Sequence, residues 1–128
     1  MSARLAALCA LIALLTLAAC AQLAALAEGD AARGQQLFES RCTGCHALNE
    51  NRGGPKLRGV YGRTSGTAEG FAYSAAIMKA AVVWDEKSLD KWLTDPDAFI
   101  PGNAMDFSVP KEEERQDLIA FLKKSSGK

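Results

Sequence analysis

The pentapeptide Cys42-Thr43-Gly44-Cys45-His46 constrains this chain more than any other feature. It holds the one histidine of the 128 residues and the only cysteines beyond residue 27. A four-ligand structural zinc site needs two more Cys or His ligands beside the cysteine pair, and only His46 is left to offer. Two thiols three positions apart with an imidazole directly after them form C-x-x-C-H, the attachment pattern of c-type haem. The spacing suits that chemistry. The thiols reach the vinyl groups of adjacent pyrroles and become thioethers, and the next residue then lies under the iron as proximal ligand. A thioredoxin-like redox pair expects a βαβ setting, which this chain does not show, and it leaves His46 without a role. A chance C-x-x-C-H with a structural part is the third alternative.

Residues 1–27 read as an export signal. Arg4 supplies the positive start, Leu5 to Ala19 an apolar run too short for a membrane span, and Ala25-Leu26-Ala27 a small-residue cleavage site. Leu17-Ala18-Ala19-Cys20 also matches a lipoprotein signal, in which Cys20 becomes a lipidated N-terminus. An uncut membrane anchor is the remaining alternative. Cleavage after Ala27 is the expectation. Every one of these readings puts residues 28–128 outside the cytoplasm, in a bacterial periplasm, with a lipid anchor only if Cys20 is the cut.

Residues 28–128 are one domain by length. They carry 15 acidic and 14 basic residues, a formal charge of −1. That excludes a basic nucleic-acid binder and an acidic disordered chain. No P-loop or GxGxxG is present. A chain this short has a limited core, which a bound macrocycle would enlarge.

The pattern predicts helices and no strands. Residues 30–41 place Ala31, Gly34, Leu37 and Phe38 on one face behind an Asp30 N-cap. A short helix is expected over 73–80. Another is expected from Asp85 to Thr94, with Leu89, Trp92 and Leu93 inward. Residues 111–124 form the clearest helix, with Leu118, Ile119 and Leu122 as its stripe and Phe121 beside it. Its acids lead and its lysines trail, as the helix dipole favours. Residues 95–110, with Pro96, Pro101, Gly102 and Pro110, read as an irregular loop. Residues 47–74 are glycine-rich and too long for a bare loop in a compact domain, so they are expected to wrap something that is not protein.

With His46 used, a second axial imidazole is unavailable. Two methionines remain beyond the leader. Met78 sits in a helix-like apolar run and reads as a packing or surface residue. Met105 lies in the turn Ile100-Pro101-Gly102-Asn103-Ala104-Met105, which can present a thioether, or else simply fills a gap.

From about Gly29 to Lys124 the residues resemble a class I cytochrome c of the mitochondrial and bacterial c2 type. Gly34 and Phe38, with Leu118 and Phe121, match the close crossing of the terminal helices. Residues 54–63 (GPKLRGVYGR) match the segment after the haem motif. The resemblance implies an all-α fold of three to five helices around one covalent haem c held by Cys42 and Cys45. It implies His46 and Met105 as axial ligands and the Pro55 carbonyl as acceptor of the His46 N–H. It also implies Arg63, Tyr73 and Trp84 at the haem propionates. There are departures. The loop from His46 to Pro55 is short. Trp92 replaces a tyrosine, Asn103 a threonine, and Ile77 an asparagine, which weakens the expected buried water network. Asp97, Ala98 and Ala104 stand where lysines ring the haem edge, so lysine-driven steering is not expected.

The implied function is one-electron transfer without enzymatic turnover, by a monomer. Its donor would be a respiratory reductase or dehydrogenase and its acceptor a terminal oxidase. A haem enzyme or gas binder would need Met105 off the iron, and no distal histidine exists to serve it. A docking subunit tied to one dehydrogenase is a third reading.

Overall fold

The computed structural model describes residues 28–128, together with residues 8–10, 12, 13 and 16. Cys20 and the cleavage site at residues 25–27 lie outside the described residues. Five helices follow one another within 28–128: α1 (Ala31–Arg41), α2 (Ala75–Ala80), α3 (Glu86–Thr94), α4 (Pro96–Phe99) and α5 (Glu112–Ser125). Among the described residues there is no strand, only an isolated bridge between Thr64 and Val83. No helix among them is long and apolar enough to cross a membrane.

The helices start where the sequence offers caps. The Asp30 carboxylate accepts from the Ala32 and Arg33 N–H groups at 2.8 and 3.1 Å, and Ser74 caps α2. At α3, Asp85 and Ser88 form a reciprocal capping box, each side chain accepting from the other's N–H at 2.8 Å. α5 has no side-chain cap, but Glu112, Glu113 and Glu114 fill its first turn and Lys123 and Lys124 its last, which complements its dipole. The expected loop over 95–110 is corrected at its start. Pro96 opens α4 instead of breaking the chain, because Asp95 accepts from the Ala98 N–H at 3.0 Å and proline is pre-organised for a first helical position.

α1 crosses α5 closely, and this crossing is the largest helix contact of the fold. Gly34 makes it possible, since a β-carbon there would overlap the Asp117 carbonyl and crowd the Phe121 β-carbon. One turn on, Phe38 and Phe121 stack at 5.3 Å between ring centroids, tilted by 43°. The buried Leu118, Ile119 and Leu122 continue the same face into the core with Leu89 and Leu93. A polar clamp closes the outer end. Asp117 accepts from Arg33 Nε at 2.8 Å, Arg33 Nη2 at 3.0 Å and the Asp30 N–H at 2.6 Å.

The Arg33 guanidinium, followed by the Asp30 N–H, holds the Asp117 carboxyl below the usual carboxylate range. A carboxyl depressed in the folded state stabilises the fold above its unfolded pKa, about 3.9. That stabilisation is lost as pH falls through the lower folded value. The advantage of the parent over Asp117→Asn is therefore expected to be full at neutral pH and to fade as pH falls below about 4. Denaturant unfolding of both proteins across pH checks this, and a constant gap down to acid pH would contradict it.

Residues 47–74 run without regular helices, as their composition predicts. They return to Trp84 through antiparallel backbone bonds, with the Gly62 N–H on the Trp84 carbonyl at 2.7 Å and the Trp84 N–H on the Arg63 carbonyl at 2.9 Å. Ala81 ends α2 at φ +48°, the one non-glycine residue in the left-handed region among those described. Relieving a left-handed alanine gains about 1–2 kcal/mol, and the added freedom of an unfolded glycine returns about 0.4–1 kcal/mol of that. Ala81→Gly should thus raise stability by about 0.5–1 kcal/mol, read as a higher denaturant midpoint.

Candidate functional site

A cavity of about 450 Å³ opens between the wrapping segment, α3, α5 and the loop after α4. Every residue singled out from the sequence lines it: Cys42, Cys45, His46, Pro55, Arg63, Tyr73, Trp84 and Met105. Met78 does not, and is 56% exposed.

The first wall grows out of α1. Cys42 is its C-cap, with its N–H on the Phe38 carbonyl. The turn then tightens, with the Cys45 and His46 N–H groups both donating to the Cys42 carbonyl at 3.1 and 2.8 Å. This turn carries both thiols and the imidazole to the cavity. The thiols are free and form no disulfide. Burial pushes the Cys42 thiol up to about 11 and pulls the His46 imidazolium below its ordinary range, so both groups are neutral at neutral pH.

His46 is held in one tautomer. Its Nδ1 lies 2.8 Å from the Pro55 carbonyl, and a carbonyl only accepts, so Nδ1 carries the proton and Nε2 keeps a bare lone pair. The segment bearing Pro55 is laid against the motif by the Gly54 N–H on the Cys45 carbonyl at 2.7 Å and the Leu57 N–H on the Ala47 carbonyl at 3.0 Å. Gly54 lies against the imidazole so closely that a β-carbon there would overlap its Cε1.

A polar edge joins this wall to the next. Arg63 donates to the Lys56 and Arg58 carbonyls at 2.9 and 3.3 Å. The Tyr73 hydroxyl accepts from the Ala68 N–H at 3.1 Å, which leaves its own proton to donate. Trp84, buried beside Arg63, lies 5.4 Å from Trp92 between ring centroids. The opposite segment brings Met105, half-buried, between exposed Ala104 and Asp106.

Ile77 faces the cavity, as the resemblance implies, and Leu89, Leu93 and Leu118, read from the sequence only as inward-facing, line it too. Sequence reading did not single out Leu57 or Phe107, both of which line the cavity, Phe107 being 40% exposed. Arg41, which lines the cavity, is tied to Glu114 at 2.7 Å; Asp97, Ala98 and Ala104 are exposed, and of these three Ala104 lines the cavity.

The family profile described as cytochrome c matches residues 31–126. The chain belongs to the cytochrome c family. It is similar to cytochrome c of Chlamydomonas reinhardtii, 48% identical over 102 residues, covering 77% of this chain and 91% of that protein. It is similar to cytochrome c of Euglena viridis, 49% identical over 98 residues, covering 74% and 96%. Among solved structures it resembles cytochrome cH from Methylobacterium extorquens, with a TM-score of 0.72 and 40% identity over 75% of this chain and 99% of that one. The all-α architecture is thus the class I cytochrome c fold. Cytochromes c are electron carriers that bind one covalent haem c through a cysteine pair, here Cys42 and Cys45. The residues fit the group: a largely apolar cavity, two free thiols at its wall, an imidazole with its lone pair unbonded, and a guanidinium, a hydroxyl and an indole among its lining.

Proposed function

We propose that residues 28–128 are a monomeric periplasmic one-electron carrier with His46 and Met105 as axial ligands, and not an enzyme. The observation that carries the ligand reading is the shared cavity, to which the motif turn brings an imidazole and the loop after α4 brings a thioether. Haem c, when bound, supplies the electron by cycling between Fe(II) and Fe(III), and a Met/His pair favours that over oxygen chemistry.

The protein residues orient, exclude and compensate. Pro55 fixes the His46 tautomer and raises its basicity as a ligand. Leu57, Leu89, Leu93 and Leu118 keep water from the cavity. Arg63, Tyr73 and Trp84 are proposed to face the propionates, where a guanidinium, a hydroxyl and an indole N–H offset carboxylate charge. Phe107 and the exposed Asp106 border the mouth through which electrons would leave.

Export with cleavage after Ala27 is supported by the three-part leader, with lipidation at Cys20 as the alternative route to the same compartment. The partners are proposed to be a reductase or dehydrogenase as donor and an oxidase as acceptor.

Redox titration of the haem-loaded protein tests the carrier reading. It should follow a one-electron curve with about 59 mV per decade, and the protein should show no peroxide turnover. Because lysines are missing from the rim, electron-transfer rates with an oxidase should change little with ionic strength. A steep fall with salt would contradict this, and sustained peroxide turnover would overturn the non-enzymatic reading.

A further inference from the structure

We propose that Asn103 is the positioning residue for Met105, a role that rests on Met105 being an axial ligand. The loop leaves α4 at Ile100, which is buried. The Asn103 N–H returns to the Ile100 carbonyl at 3.2 Å and closes a tight turn around Gly102, whose φ is +82°. The Asn103 side chain then spans the turn in both directions. Its Nδ2 donates to the same Ile100 carbonyl at 2.9 Å. Its Oδ1 accepts from the Met105 N–H at 2.7 Å. The orientation of the amide is unambiguous, since the Ile100 carbonyl only accepts and the Met105 N–H only donates.

One planar side chain thus ties the Met105 backbone to a core residue. Among the described residues it is the only side chain that hydrogen-bonds the backbone of Met105. The next anchor comes four residues later. There the Val109 N–H meets the Leu93 carbonyl at 2.7 Å, and Arg115 donates to the Val109 and Pro110 carbonyls at 3.1 and 2.9 Å. Arg115 is itself held by Asp90 at 2.7 Å. Met105 therefore sits between two clamps, and Asn103 is the near one.

The chemistry calls for asparagine. The site needs an acceptor and a donor on separate atoms of one short side chain. Aspartate supplies only the acceptor when ionised, and alanine supplies neither. Losing both links leaves the segment from Pro101 to Ser108 held by the main-chain turn, the Gly102 N–H on Asp97 Oδ1 at 3.4 Å and the distant clamp, none of which touches Met105 itself. The thioether then spends a larger fraction of time away from its place.

The test compares haem-loaded parent, Asn103→Ala, Asn103→Asp and Met105→Ala. Three readouts are taken: the ferric near-infrared sulfur-to-iron band, the rate of carbon monoxide binding to the reduced protein, and the far-ultraviolet melt. Met105→Ala should lose the band and bind carbon monoxide rapidly, which sets the open limit. Asn103→Ala should weaken the band and bind carbon monoxide about tenfold or more faster than the parent, the factor expected for one or two lost hydrogen bonds. Asn103→Asp should fall between Asn103→Ala and the parent. A purely structural role would lower the melt of both Asn103 variants and leave the band and the carbon monoxide rate at parental values, and that pattern overturns the proposal. If Met105→Ala itself stays inert to carbon monoxide, the ligand assignment is what fails. If Asn103→Ala does not accumulate, Asn103→Asp decides: faster carbon monoxide binding supports the role of Asn103, and parental kinetics refute it.

Discussion

With Cys42 and Cys45 both replaced by alanine, all haem passes into the organic phase on acid–acetone extraction, and the polypeptide loses its cooperative melt. The first half follows from the thiols, since thioethers are the only covalent links the chain can offer once residues 1–27 are set aside. The second half follows from the cavity. It measures about 450 Å³ and has walls of leucine, isoleucine and tryptophan. The cavity is open at its mouth, so without a macrocycle those apolar walls face water and the burial that holds a small domain together is lost. The chain without its macrocycle therefore collapses or floods. Pigment that stays with the double variant through extraction, or a full cooperative melt without pigment, would contradict this account.

Gly34→Ala is the second large effect, and here two rules oppose each other. Helix propensity alone favours alanine over glycine by about 1 kcal/mol. The crossing of α1 and α5 reverses that sign. The new β-carbon would overlap the Asp117 carbonyl and crowd the β-carbon of Phe121, and backbone cannot rotate away as a side-chain tip can. The helices must separate, which loosens the Phe38–Phe121 stack and the Arg33–Asp117 clamp. The net cost should be about 2–3 kcal/mol, seen as a lower denaturant midpoint. Asp117→Asn serves as the comparison, since it weakens the clamp without touching the packing. A Gly34→Ala protein as stable as its parent would show that the helices have room to part.

α1, α3 and α5 were legible because apolar spacing marks one face of each, helped by the Asp30 cap at α1 and by the run from acids to lysines along α5. The chemistry-bearing residues were legible because Cys42, Cys45 and His46 are rare types at a fixed spacing. The resemblance then supplied Pro55, Arg63, Tyr73, Trp84 and Met105, and the cavity gathers all of them. α4 was missed because proline at a first helical turn looks the same in sequence as proline that breaks a chain. That the inward leucines line a cavity was not legible for a related reason. Leu57 and Leu118 would read identically whether they packed on protein or on a macrocycle. The links made by Asn103 were also out of reach. They depend on the path of the turn from Ile100 to Met105, and residue types alone do not encode that path.

The central claim is that His46 and Met105 together close the axial sites of a carrier. Its most direct test is the optical spectrum of the haem-loaded protein, oxidised and reduced, with and without carbon monoxide. The account predicts a weak near-infrared ferric band from sulfur ligation and a reduced form inert to carbon monoxide. A missing band with rapid carbon monoxide binding would mean an open site, and the protein would then bind or transform ligands instead of only passing electrons.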